Sequence, residues 1–189
     1  MQQKLDEFNK FIVIAGFSQV KFENVEDFFK KIKTAAGLAQ VQVFDASRIA
    51  GWRHIYFATL NAVKAFSDKR NISSNLAVEI LLYASGQRQI QKACEMIGVR
   101  STTASVAIVI LADDGEVAET SLKKVSQVVN GFRDDAVVEA ITDAKFELLK
   151  KIFAITDFEI EAKMEGDSFR VEALVDLIIE RVALLAIRR

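Results

Sequence analysis

Residues 47–54 read Ser-Arg-Ile-Ala-Gly-Trp-Arg-His, and residues 85–90 read Ser-Gly-Gln-Arg-Gln-Ile. Between these two stretches, apolar residues recur at three- and four-residue spacing, which predicts helices with one apolar side. A second stripe is mostly alanine, so a neighbouring element should approach it closely. Unusual polar residues are densest in this part of the chain, and we find no catalytic constellation among them. The stretch predicts a helical surface suited to binding.

Flanking segments predict strands and helices that pack on this centre. Runs rich in β-branched and aromatic residues predict strands at residues 11–17, 41–44 and 103–111. Residues 134–153 predict one long helix, and residues 163–170 predict a polar connector.

The expected order of elements is β-α-β-α-α-α-β-α-α, followed by a C-terminal helix at about residues 171–187. This order predicts an α/β (α+β) fold with a small mixed sheet of about three to four strands. A layer of six to seven helices packs against the sheet, in a single domain covering residues 1–189.

Composition limits the classes of function. Hydrophobic residues make up 51% of the chain, which argues against disorder, and a net charge of −1 argues against coating nucleic acid by bulk charge. A single cysteine excludes an internal disulfide and a cysteine-based zinc site, and favours a reducing compartment. We see neither a signal peptide nor a membrane span, so we expect no membrane partner.

Isolated reactive groups have ordinary explanations. His54 lies in the alanine stripe and is interpreted as a half-buried, hydrogen-bonded residue, with ligand contact as the alternative. Cys94 is expected to be an inert core thiol. Asp113–Asp114 and Asp134–Asp135 fit a turn and a helix start better than acid–base chemistry. Nucleotide-binding glycine motifs are absent as well. Since none of these groups indicates a reaction or a ligand, we predict no catalytic residue, metal or cofactor.

The junction at residues 86–90 is the most informative polar segment. It joins two predicted helices, where backbone N–H groups are free and Arg88 and Gln89 could grip a phosphate or read base edges. The alternative is a helix cap with exposed polar residues. Arg48 and Arg53 could extend a basic track, with Trp52 as a stacking surface.

The C-terminal helix has a narrow polar stripe of Glu172, Asp176 and Glu180. Apolar residues occupy nearly all of the remaining surface, more than an ordinary surface helix carries. Two interpretations stay open: burial within the domain, or an exposed face that binds another protein.

These residues also resemble a known family. Ile-Ala-Gly-Trp-Arg-His at residues 49–54, the run from residue 76 to 90 and Ile-Gly-Val at residues 97–99 resemble the kinase-binding subunit of the KEOPS complex, the PRPK-binding-protein family. Residues 135–153 are similar too. The resemblance covers most of the chain but not residues 1–10.

The resemblance implies a non-catalytic subunit with a small mixed α/β fold. Members bind the small atypical kinase/ATPase of KEOPS, and through it the rest of the complex. They help to hold tRNA by its CCA end while the complex installs threonylcarbamoyl on the adenosine beside the anticodon. A cytoplasmic location is implied, and also a nuclear one if the source is eukaryotic.

Physical reasoning then assigns residues to these two roles. Arg88 and Gln89 are predicted to contact RNA, with Arg48, Arg53 and His54 as further contributors. The predicted kinase contacts lie on the last helix: Leu177, Ile178, Leu184 and Leu185.

Other classes of function remain as alternatives. The runner-up is a protein-only scaffold or helical adaptor without RNA binding. An enzyme with an unrecognised site is a third class, and self-association through the C-terminal helix is a further alternative.

Overall fold

The computed structural model describes residues 1–164 and 169–187. The strands within these ranges are β1 (Gln2–Leu5), β2 (Lys10–Ser18), β3 (Gln40–Asp45), β4 (Val106–Ala112) and β5 (Phe132–Arg133). The helices are α1 (Val25–Ala36), α2 (Gly51–Ser67), α3 (Leu76–Ser85), α4 (Ile90–Ile97), α5 (Gly115–Val128), α6 (Ala136–Glu139), α7 (Asp143–Ile152), α8 (Asp157–Lys163) and α9 (Arg170–Leu184).

The strands form one sheet in the order β1-β2-β4-β3, and β5 pairs with the end of β2. Every described pair is antiparallel; Val13 lies opposite Ile110, and Val43 lies opposite Ile108. The α/β fold class is confirmed. The sheet gains two strands of four and two residues that the sequence did not predict.

Helices cover both faces of the sheet rather than one. Successive strand residues point to opposite faces. Accordingly, Val13 and Phe17 of β2 pack with α1 and α5, whereas Ile12 and Ile14 pack with the cluster that contains α2, α3 and α9. β4 is buried along its whole length because helices cover it on both faces of the sheet.

The predicted long helix at residues 134–153 is wrong, because two helices occupy this segment. Ala140 is extended, and the Thr142 side chain accepts a hydrogen bond from Lys145 N to start α7. The Lys145 ammonium is buried and donates to the carbonyls of Val137 (3.1 Å) and Val138 (3.4 Å) at the end of α6. Loss of solvation there lowers the pKa of Lys145 to about 8.

The polar connector predicted at residues 163–170 begins at the end of α8, a short helix that the sequence pattern did not reveal. Residues 165–168 of the connector lie outside the described residues. α8 begins with a capping box, in which the Thr156 hydroxyl accepts from Glu159 N and Glu159 Oε2 accepts from Thr156 N.

The C-terminal helix α9 is a core element, as one of its two sequence interpretations held. Residues Leu174, Ile178 and Val182 have no exposed surface, and α9 packs against α2. The kinase contacts predicted at Leu177, Ile178 and Leu185 stay predictions; in the folded chain these side chains pack in the core, at 7%, 0% and 1% exposure. Leu184 is 36% exposed.

Candidate functional site

The junction between α3 and α4 is built by backbone hydrogen bonds. Gly86 has φ +63° and its N–H donates to the carbonyls of Leu82 and Tyr83, which closes α3. Gln89 then starts α4 through its backbone, with no side-chain cap. The side chains of Arg88 and Gln89 are exposed to solvent. They lie beside the first backbone N–H groups of α4, which the Gln89 side chain does not cap.

A polar cleft of about 450 Å³ lies beside this junction. Its apolar part is formed by Met96, Ile152 and Phe153, and Gln87 and Arg181 supply polar groups. Arg181 Nη2 donates to Glu159 Oε1 at 2.6 Å, so α9 is tied to α8 at the wall of the cleft. Apolar surface next to hydrogen-bonding groups is the combination that a splayed nucleobase uses.

Arg48 supports the cleft from below. Its Nη1 donates to the Met96 carbonyl at 2.8 Å, and its Nε lies 3.9 Å from Asp45 Oδ2. Burial, followed by the charge of Arg100, lowers the pKa of Arg48, while Asp45 acts against them. Only 18% of the Arg48 side chain is exposed. Its hydrogen bond therefore holds the Met96 backbone in place.

Arg53 lies on α2 and forms an exposed ion pair, with Nη2 3.1 Å from Asp176 Oδ1 of α9. Such exposed pairs contribute little stability, so Asp176 holds the guanidinium only weakly. Arg53 also lines a pocket with Trp52 and Glu172, apart from the residues that line the cleft.

His54 has no exposed surface. Its Nδ1 accepts from Ala50 N at 3.2 Å, and Nε2 donates to the Ala84 carbonyl at 2.7 Å. Burial lowers the pKa of His54 to about 4, so the ring is neutral. The ring is therefore a hydrogen-bonded core residue that links α2 to α3. The RNA contact predicted for His54 stays a prediction.

Two apolar residues of α4 lie on the surface, and one of them is Cys94, which the sequence predicted in the core. Ile90 is 51% exposed and the Cys94 thiol is exposed, whereas Ala93 and Ile97 are fully buried. Burial followed by the charge of Glu95 raises the pKa of Cys94, so its thiolate is disfavoured. The periodicity of apolar residues predicts which face of a helix is apolar. It does not predict how much of that face the core covers, so the sequence did not reveal this exposed surface.

The two aspartate pairs have structural contacts. Asp114 caps α5 by accepting from Glu116 N and Val117 N. Asp135 accepts from Gly16 N and from Arg133. Across residues 1–164 and 169–187, no group of three or more His, Cys, Asp or Glu side chains could hold a metal ion. No helix in these ranges is long and apolar enough to span a membrane.

The sheet, the two helical layers and the surface cleft define an α/β domain whose candidate site is a surface junction. The family model described as kinase-binding protein CGI-121 matches residues 17–186. This match spans most of the sequence, so the chain belongs to the CGI-121 kinase-binding protein family, as the resemblance predicted.

Two curated proteins are similar to the chain. Regulatory protein Cgi121 of Methanocaldococcus jannaschii is 28% identical over 148 residues, which are 78% of this chain and 84% of that protein. KEOPS complex subunit Cgi121 of Pyrococcus abyssi is 46% identical over 46 residues, 24% of this chain and 27% of that protein.

Proposed function

We propose that this protein is a non-catalytic KEOPS subunit that binds the kinase of the complex and helps to hold tRNA by its CCA end. The complex would then add threonylcarbamoyl to the adenosine beside the anticodon. Membership of the kinase-binding family and similarity to a protein named as a KEOPS subunit support the first part. The α3–α4 junction supports the second part.

The observation that carries the RNA proposal is the pairing of exposed Arg88 and Gln89 with the adjacent cleft. Proteins recognise single-stranded RNA by stacking unpaired bases and by hydrogen-bonding their edges. In this proposal Arg88 contacts a backbone phosphate, Gln89 contacts a base edge, and the apolar wall of the cleft receives a base. The near-neutral net charge fits a subunit that supplies one part of a shared tRNA surface.

The proposed RNA residues differ in their roles. Arg88 and Gln89 carry the contact, and Arg53 contributes a phosphate contact at a distance from the cleft. Arg48 acts as a positioning residue, because its bond to the Met96 carbonyl fixes the wall of the cleft.

The test replaces Arg88 with alanine and measures tRNA affinity in the assembled complex by filter binding. We expect Arg88→Ala to weaken binding of intact tRNA roughly tenfold, since a hydrogen bond to a charged group contributes about 1.5–3 kcal/mol. The affinity for tRNA trimmed of its CCA end should not change. The matched control is Lys124→Ala, which removes an exposed charge from α5 on the other face of the sheet.

If Arg88→Ala binds intact tRNA as tightly as the unmodified protein does, the junction is not the RNA contact. If the unmodified protein adds nothing to the binding of intact over trimmed tRNA, the second candidate, a protein-only scaffold, is favoured. The exposed apolar residue Ile90 of α4 is the observation behind that candidate.

A further inference from the structure

Two arginines hold the last turn of α4, where a glycine cap is common in other helices. Gly98 follows α4 in an extended conformation, at φ −73° and ψ 157°, so the left-handed cap that satisfies the last carbonyls is missing. Arg48 Nη1 donates to the Met96 carbonyl at 2.8 Å, and Arg100 Nη2 donates to the Glu95 carbonyl. We call Arg48 and Arg100 the arginine clamp.

A single buried carboxylate, that of Asp45 at the end of β3, supports the arginine clamp. Asp45 is 8% exposed, its Oδ2 accepts from Thr103 Oγ1 at 2.9 Å, and the same oxygen lies 3.9 Å from Arg48 Nε. Thr103 Oγ1 in turn accepts from Arg100 N at 3.0 Å. The like charges of the two arginines disfavour each other, and the charge of Asp45 opposes this effect. Both arginines therefore depend on Asp45, one of them through Thr103.

α4 depends on these contacts because the core holds it at only two points. Ala93 and Ile97 are the only buried residues among its eight, and its first turn has no side-chain cap. A helix of this length is about 12 Å long and moves as a rigid body. A shift of the last turn therefore displaces Arg88 and Gln89, which directly precede the first turn.

We infer that Asp45, Thr103 and Arg100 are positioning residues for the α3–α4 junction. By holding the last turn of α4, they set the orientation in which Arg88 and Gln89 meet the polar cleft. The inference rests on the proposed function, because it assigns these residues to the RNA contact proposed there. No pattern in the sequence links the three residues, which come from β3 and from the turn before β4.

The first experiment removes the Thr103 hydroxyl and measures tRNA affinity in the assembled complex by filter binding. We expect Thr103→Val to weaken binding of intact tRNA roughly three- to tenfold, since coupled residues of one network interact at this level, and to leave binding of CCA-trimmed tRNA unchanged. Thr103→Ser keeps the hydroxyl and should restore the affinity. The matched control is Thr59→Val, which removes a buried hydroxyl of α2 that donates to the Ile55 carbonyl at 2.8 Å, without a contact to α4.

A double-mutant cycle separates positioning from a general loss of stability. Thr103→Val is combined with a background in which Arg88 and Gln89 are both replaced by alanine. If Thr103 acts through the junction, its substitution should have little effect in this background. Thermal unfolding verifies that each variant is folded.

Arg100→Ala gives a second measurement at an exposed position, where the fold should tolerate the change. We expect it to weaken binding of intact tRNA without altering the dependence of affinity on salt, because a positioning residue releases no counterion from RNA. A smaller salt dependence would make Arg100 a phosphate contact and overturn its assignment as a positioning residue.

The inference and the proposed function fail in different ways. Unchanged affinity of Thr103→Val for intact tRNA overturns the inference, and so does an equal loss in both backgrounds of the cycle. The proposed function then stands as long as Arg88→Ala weakens binding. If Arg88→Ala changes nothing, the junction is not the RNA contact and both fail.

Discussion

His54 satisfies two backbone groups with one neutral ring, and this makes the stability of the fold sensitive to acid. Its hydrogen bonds to Ala50 N and to the Ala84 carbonyl need Nδ1 unprotonated and Nε2 protonated. A second proton would remove the acceptor at Nδ1 and place a charge in a fully buried site. Protonation of His54 therefore opposes the folded state.

The folded pKa of His54 is lowered from 6.5 to about 4, which sets the direction and the window of the effect. Between these values the unfolded chain binds the proton and the folded chain does not, so stability falls as the pH drops from 6.5 to 4. The loss from this residue amounts to about 3 kcal/mol. Above pH 6.5 the residue contributes no pH dependence.

We predict that His54→Asn lowers the free energy of unfolding at neutral pH, because one of the two hydrogen bonds is lost. The variant should also lose part of the acid dependence. Urea unfolding at a series of pH values between 4 and 7 measures both effects. Parallel pH profiles for the two proteins would contradict the assignment of this window to His54.

Sequence patterns at the residue scale identified Arg88 and Gln89 as surface residues, because they interrupt two apolar periodic segments. They did not give the depth of His54. Its burial depends on Ala84 and Phe153, which lie 30 and 99 positions away in the sequence and meet the ring only in the folded chain.

The capping box at the start of α8 is connected to the wall of the cleft through one residue, Glu159. Glu159 accepts from Thr156 N at 2.8 Å, and its other carboxylate oxygen pairs with Arg181 of α9. The Thr156 backbone, then Arg181 and the Thr156 hydroxyl, lower the pKa of Glu159 to about 2. One carboxylate thus joins a helix start to the cleft wall.

Thr156→Ala should lower the free energy of unfolding by about 1 kcal/mol, since an N-cap hydroxyl contributes about that much. Thr34→Ala is the matched control, because Thr34 is exposed on α1, away from a helix start. Chemical denaturation of both variants measures the difference. Equal midpoints for the two variants would mean that the capping box does not stabilise α8.

Elements with long periodic patterns were predictable, and short ones were not. The alanine stripe of α2 predicts close packing, and Ala58 and Ala62 are fully buried there. β1 gives almost no pattern because only Leu5 of its four residues is buried. The break between α6 and α7 depends on Thr142 and the buried Lys145, and their effect overrides a helical apolar pattern that continues from residue 137 to residue 152.

At the scale of the whole molecule, the fold separates two surfaces on either side of one short helix. The polar cleft lies on the side of α4 where Met96 faces α7 and α9. An apolar groove lies on the side of Ile90 and Cys94, against Phe29 of α1 and Val41 of β3. The two surfaces share no lining residue, so they are separate sites on the chain.

The fold class followed from the alternation of strand and helix patterns, but the assignment of these surfaces did not. Apolar residues of α9 and of α4 look alike in the sequence. α9 is buried because α2 and α8 cover it, whereas no described element covers Ile90. Which apolar face stays open is decided by packing between residues far apart in the chain.

The most direct test of the central claim is size exclusion with light scattering of this chain mixed with the KEOPS kinase from the same organism. The account predicts co-elution as a one-to-one complex at micromolar concentration. Separate elution of the two proteins at that concentration would contradict a kinase-binding role for this chain.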